Sequence, residues 1–152
     1  FYIDTEHPSA ASMVKAYFRE GEKPVEITTN VTTVDEYVLG NGKFTKVDLV
    51  KIDVETFECD VLMGMKAVME RDHPDIICEV LPDEGLDYRN ANRKAIHSII
   101  SEAGYSSYWI SDHGLVREDA IEGHFPLSNY LFTKSFKEKE KGNLEMQTSN
   151  YE

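Results

Sequence analysis

The sequence predicts an α/β domain built on a mainly parallel sheet, and three observations carry that reading. Two near-continuous apolar runs, Val47–Val54 (VDLVKIDV) and Asp75–Leu81 (DIICEVL), have the composition of strands buried on both faces. Between them, residues 58–71 place Val61, Leu62, Met65, Val68 and Met69 at helical spacing. After the second run comes another helical pattern and then short β-branched and aromatic stretches. The resulting order, β-α-β-α-β-β, is that of a sheet joined by right-handed crossovers.

Taken from the start, residues 1–3 suit a strand, and residues 9–18 (SAASMVKAYF) suit a short helix or a loop closing on the core. Residues 25–32 (VEITTNVT) alternate and are rich in β-branched side chains, which predicts a strand. Thr33 with Glu36 has the spacing of a capping box, opening a short helix that Gly40-Asn41-Gly42 ends. Strand 47–54 and helix 58–71 follow, with Pro74 just past the helix end. Residues 92–103 carry Ala95, Ile96, Ile99, Ile100 and Ala103 on one face, and Gly104 is a good stop. Residues 105–110 form a third core strand, Ser111-Asp112-His113-Gly114 a turn, and residues 115–118 its hairpin partner. Residues 129–133 (NYLFT) are the last strand. The polar stretch 134–152 has little to bury and is expected to be disordered.

With 152 residues, 41% of them hydrophobic and 29% charged, the chain can enclose one core. Its formal net charge of −12 excludes a general nucleic-acid binder, which needs clustered Lys and Arg, and disfavours an anionic membrane surface. No apolar run is long enough to cross a bilayer, and no signal peptide opens the chain. Cys59 and Cys78 both lie in apolar contexts and read as buried thiols of a reducing, cytoplasmic compartment. The five histidines show no metal-ligand spacing. His113 reads as a surface turn and His97 as a core or boundary residue.

The chemistry concentrates at strand ends. Ligands of open α/β sheets bind outside the carboxyl ends of the parallel strands. The first apolar run breaks there into Asp53, Glu55 and Glu58, and the second is interrupted by Glu79, which places Asp53, Glu55 and Glu79 at or near one rim. Lys51, inside the first run, needs a carboxylate partner such as Glu79, or a stem that packs while its head reaches water. Glu58 reads as a helix-dipole partner or part of an N-terminal cap.

These residues resemble the FkbM family of S-adenosylmethionine-dependent methyltransferases. The family's T-x-D leader is matched by Thr33-Val34-Asp35. Its K-I-D-V-E-G strand end, acidic residue, Leu and Gly are matched by Lys51-Ile52-Asp53-Val54-Glu55, then Glu58, Leu62 and Gly64. Its P-x-I-I-x-E strand is matched by Pro74-Asp75-Ile76-Ile77-Cys78-Glu79, and its last strand by Asn129-Tyr130-Leu131-Phe132. Residues 8–13 (PSAASM) resemble the segment before the leader. There are two departures. Thr56 stands where the family has Gly, and the glycine-rich D-x-G-A-N-x-G loop is absent, as is the acid that binds the cofactor ribose.

The resemblance implies a Rossmann-like class I methyltransferase fold, of which this chain is the C-terminal part: a mainly parallel sheet with an antiparallel last strand. Residues 1–133 are then a partial methyltransferase domain, with a leader and insertion over 1–46 and the core over 47–133. The cofactor-binding residues are expected upstream of Phe1, so the chain by itself should bind S-adenosylmethionine weakly or not at all. The implied reaction is O-methylation of a hydroxyl on a sugar, polyketide or similar small molecule. Asp53 is the expected catalytic base beside the transferred methyl, Glu55 shares that role or holds the acceptor unless it serves only as a first-turn acid for the helix dipole, and Glu79 and Lys51 shape the acceptor site. A metal-free site is expected; the alternative is Mg²⁺ or Ca²⁺ on Asp53, Glu55 and Glu79. A rival of another class is a non-catalytic binding or assembly remnant of the fold. A homodimer through an exposed sheet edge is a further expectation.

Overall fold

Apolar side chains on one face of a sheet need helices to cover them, and the chain supplies both. The computed structural model describes residues 1–4, 11–13, 15, 23–40, 42, 44–124 and 128–135. A small sheet joins β1 (Tyr2–Ile3), β2 (Ala11–Ser12) and β3 (Val25–Glu26). Then come α1 (Val34–Gly40), β4 (Leu49–Ile52), α2 (Glu58–Met63), α3 (Lys66–Asp72), β5 (Asp75–Glu79) and α4 (Asp87–Glu102). The strands β6 (Ser106–Ser111), β7 (Gly114–Glu118) and β8 (Asn129–Thr133) complete the larger sheet, ordered β4-β5-β8-β6-β7.

β4 and β5 are parallel, with Ile52 opposite Cys78. β8 inserts between β5 and β6 and is antiparallel to both, so β5 and β6 run the same way although they never pair. The sheet is therefore mixed rather than mainly parallel: among the described residues only the β4–β5 ladder is parallel. The last strand is antiparallel, as expected. Ile52, Ile76, Cys78, Tyr130 and Phe132 form the inner layer of the core, against Leu62, Met65 and Met69 from the α2–α3 segment and Ile96, Ile99 and Ile100 of α4.

Several expectations need correction. β4 is an edge strand with Leu49 and Lys51 exposed, not a strand buried on both faces; among the described residues only β5 flanks it. Residues 27–32 are not a strand, because only Val25–Glu26 finds a partner, in β1. The helix expected over 58–71 is two helices. Its apolar spacing is right, but the chain breaks at Gly64-Met65, where the Gly64 backbone lies so close to Thr33 that an added Cβ would stand 3.2 Å from the Thr33 Cβ. The helix expected from residue 92 begins at Asp87, because its polar first turn is tied down by side chains: Arg89 donates to the Pro82 carbonyl at 3.3 Å, and Arg93 donates to the Ile121 and Glu122 carbonyls at 2.8 Å each. Of the helix or loop expected over 9–18, Ala11–Ser12 is strand β2, and most of the rest lies outside the described residues. The tail beyond residue 135 also lies outside them.

The leader Thr33-Val34-Asp35 serves the fold. The Thr33 hydroxyl accepts the Glu36 N–H at 3.0 Å, one half of the capping box, while Glu36 accepts from the Thr32 hydroxyl at 2.8 Å. The Asp35 carboxylate reaches across to α3 and accepts the N–H groups of Ala67 at 3.0 Å and Val68 at 2.9 Å. It thus caps a helix whose own N-cap residue, Met65, offers no side-chain acceptor.

Candidate functional site

The register of the parallel ladder builds the site. Because Ile52 pairs with Cys78, the next residues on each strand, Asp53 and Glu79, emerge side by side at the carboxyl rim. Glu55 turns back toward them, and a carboxylate oxygen from each of Asp53, Glu55 and Glu79 lies within 4.8 Å of the others. The sequence-expected acids are thus brought together. Lys51 is placed at the same rim, but it pairs with Asp53 at 3.1 Å, not with Glu79, and both partners are half-exposed. Its head also reaches water because β4 is an edge, as the second reading of Lys51 expected; only the suggested partner changes.

Glu79 is 8% exposed. Burial pushes its carboxyl up, the Asp53 charge and a hydrogen bond with Asp53 push it further, and Glu55 adds to this against a smaller opposing effect of Lys51; the result is about 7. Two carboxylates so close share a proton more readily than they carry two charges. A group titrating near 7 is suited to taking a proton from a substrate hydroxyl.

The turn between the acids is unusual. Glu55 and Thr56 both have left-handed backbone, with φ of +52° and +77°. For a β-branched residue that conformation is strained, and Gly would adopt it freely. The Thr56 hydroxyl is also buried without a partner. Glu58, 1% exposed, sits beneath the turn and accepts the N–H groups of Val54 at 3.3 Å and Thr56 at 3.1 Å. Its other oxygen accepts from Asn92 Nδ2 at 2.7 Å. It is a buried anchor, which the expectation of a dipole partner understated.

Just past β5, residues 82–83 meet residues 121–123. An added Cβ on Gly123 would stand 3.4 Å from Pro82 Cα, and Arg93 links Asp83 (3.3 Å) to the carbonyls of residues 121 and 122. A second network escaped the sequence reading, because its members are scattered along the chain. Glu118 accepts from the Tyr130 hydroxyl at 2.7 Å and pairs with His124 at 2.5 Å, while the His124 ring stacks on Trp109 at 3.8 Å. Burial would raise the Glu118 carboxyl, but the hydrogen bonds from Tyr130 and His124 hold it below its ordinary value.

Both thiols are free. Burial raises Cys59, which is only partly buried, to about 11 and Cys78 further still, so neither is poised as a nucleophile. His113 is in an exposed turn. The three acidic oxygens are hard donors of the kind a divalent cation takes. No such match exists for S-adenosylmethionine: among the described residues no glycine-rich turn follows β4 or β5, and Thr56 occupies the turn after β4, so these residues do not form the cradle a nucleoside cofactor needs. No helix among the described residues is long and apolar enough to cross a membrane.

No curated protein and no solved structure matches the chain. The Methyltransferase FkbM domain matches residues 2–107, which take in the leader, the β4 strand end, β5 and all of α4. The chain belongs to the FkbM methyltransferase domain family.

Proposed function

We propose that this chain forms the acceptor side of an S-adenosylmethionine-dependent O-methyltransferase acting on a small hydroxylated molecule. The observation that carries the reading is the Asp53–Glu79 pair at the carboxyl ends of β4 and β5, with Glu79 raised to about 7. Two further features support it. β4, β5 and β6 run the same way, with the antiparallel last strand between β5 and β6, an order compatible with a methyltransferase fold. Membership of the FkbM family supplies the reaction class.

The methyl donor supplies an electrophilic methyl group; the residues here handle the acceptor. An acceptor hydroxyl placed over the rim gives its proton to the Asp53 carboxylate, and Glu79 shares that proton through their hydrogen bond. Lys51 neutralises one negative charge of the rim at 3.1 Å from Asp53. Glu55 shares the proton work with Asp53 or orients the acceptor, and the meeting of residues 82–83 with 121–123 walls one side of the rim.

The test is transfer of a tritiated methyl from S-adenosylmethionine to a panel of sugars, polyols and phenols, using protein expressed from its natural open reading frame. The expected result is labelling of a hydroxyl acceptor, rising with pH to a plateau above about 7. In Asp53→Asn, kcat should fall by about 10²- to 10⁴-fold with little change in KM. A silent panel in the folded wild type would favour a binding or assembly domain.

A further inference from the structure

We propose that Glu58 is the positioning residue of the acidic rim: its carboxylate holds the left-handed turn at Glu55–Thr56 and thereby fixes where Asp53 and Glu55 stand relative to Glu79. The inference rests on the reading of that rim as the acceptor site. Two successive non-glycine residues with φ of +52° and +77° do not hold that shape unaided. Something must over-determine it, and two clamps are present. The Ser12 hydroxyl donates to the Glu55 carbonyl at 2.7 Å from outside, and Glu58 gathers the N–H groups on either side of Glu55 from beneath. Glu58 is in turn held by Asn92 of α4. Asn92 Nδ2 donates to Glu58 at 2.7 Å, and its Oδ1 accepts the Cys59 N–H at 3.3 Å. A chain of hydrogen bonds therefore runs from α4 through Glu58 into the turn that carries the acids, and Glu58 itself is 1% exposed and touches no acceptor.

This arrangement has a definite donor and acceptor count. In Glu58→Gln, one oxygen must serve two sides: turned to Asn92 it sets the new amide nitrogen against the Val54 and Thr56 N–H groups and releases the turn, and turned to the turn it sets that nitrogen against the Asn92 amide nitrogen, donor against donor. Turning the Asn92 amide over relieves that clash and instead sets a donor against the Cys59 N–H. The single variant cannot satisfy the network. The double variant Glu58→Gln/Asn92→Asp can, because the carboxylate at position 92 accepts from both the new amide and the Cys59 N–H. The swap moves the charge and keeps every hydrogen bond.

The experiment compares the wild type, Glu58→Gln, and the double variant in protein expressed from its natural open reading frame. The HN–Hα couplings and amide exchange of Val54, Glu55 and Thr56 report the turn, and methyl transfer from S-adenosylmethionine to the panel reports the rim. Glu58→Gln should lose the left-handed couplings and the protection of Val54 and Thr56, with kcat lower by about 10- to 100-fold and KM little changed. The double variant should recover both. The inference is overturned if Glu58→Gln keeps the turn, if the turn is lost but kcat is unchanged, or if the double variant recovers neither. If the single variant does not fold, recovery of fold and turn in the double variant supports the inference, and its failure to fold overturns it. A wild type with no methyl transfer removes the functional reading, and the couplings then decide the positioning role by themselves.

Discussion

Glu79 and Asp53 stand side by side at the carboxyl ends of two adjacent parallel strands, and burial, with the Asp53 carboxylate beside it, lifts Glu79 to about 7 from its ordinary 4.5. Between those two values the folded chain keeps a proton that the unfolded chain has released. Stability therefore falls as pH rises through that window, the reverse of a salt-bridged acid. Glu79→Gln should remove this dependence. At pH 8 the variant should be more stable than the wild type by on the order of 1 to 2 kcal/mol, allowing for the water that reaches the rim, and at pH 5 the two should be nearly equal. Urea titrations at the two pH values measure this.

Asp35 reaches from α1 to cap α3, accepting the Ala67 and Val68 N–H groups. Asp35→Ala leaves both donors without that partner and should cost about 1 to 2 kcal/mol, seen as an earlier urea midpoint with an unchanged m-value. Its position away from the rim predicts a kcat close to that of the wild type when assayed well below the unfolding transition.

Thr56 holds a φ of +77° with a buried hydroxyl that has no partner. Thr56→Gly removes the strain and the unpaired group, and loses one buried methyl and some unfolded-state rigidity. The strain and desolvation costs are the larger, so the variant should gain about 1 kcal/mol, or about 3 °C in Tm by scanning calorimetry.

The rim already has internal partners: Lys51 beside Asp53, and a hydrogen bond between Asp53 and Glu79. Methyl transfer should therefore survive exhaustive chelation, and added Mg²⁺ or Ca²⁺ should leave Tm unchanged. Loss of turnover on chelation, restored by one of these ions, would move the site to the cation-dependent alternative.

The sequence made the order of β4, α2–α3, β5, α4, β6, β7 and β8 legible because the first four carry clear apolar patterns and the Ser111–Gly114 turn marks the β6–β7 hairpin. Asn129–Thr133 is found with the expected ends. The acidic rim was legible too, since Asp53 and Glu79 each interrupt an apolar run at its carboxyl end. What escaped was decided by contacts between distant residues. At the break the Gly64 backbone packs closely against Thr33, a contact that no periodicity records. The early start of α4 depends on Arg89 and Arg93 finding carbonyls in other segments. Lys51 was expected to take a carboxylate partner such as Glu79 or to send its head to water; at an open edge it does both, with Asp53 as the partner. Glu58 looked like one more acid at a helix start, and its role shows only once Asn92 of α4 is seen against it.

The most direct measurement of the central claim is a ¹³C-carboxyl NMR titration of Glu79 in the full chain, in the wild type and in Asp53→Asn. A shared proton predicts a midpoint near 7 in the wild type. Removing the Asp53 charge should bring that midpoint down by about one unit or more, leaving the part due to burial. A wild-type midpoint near 4.5, or one that does not respond to Asp53→Asn, would contradict the claim that these two acids act together.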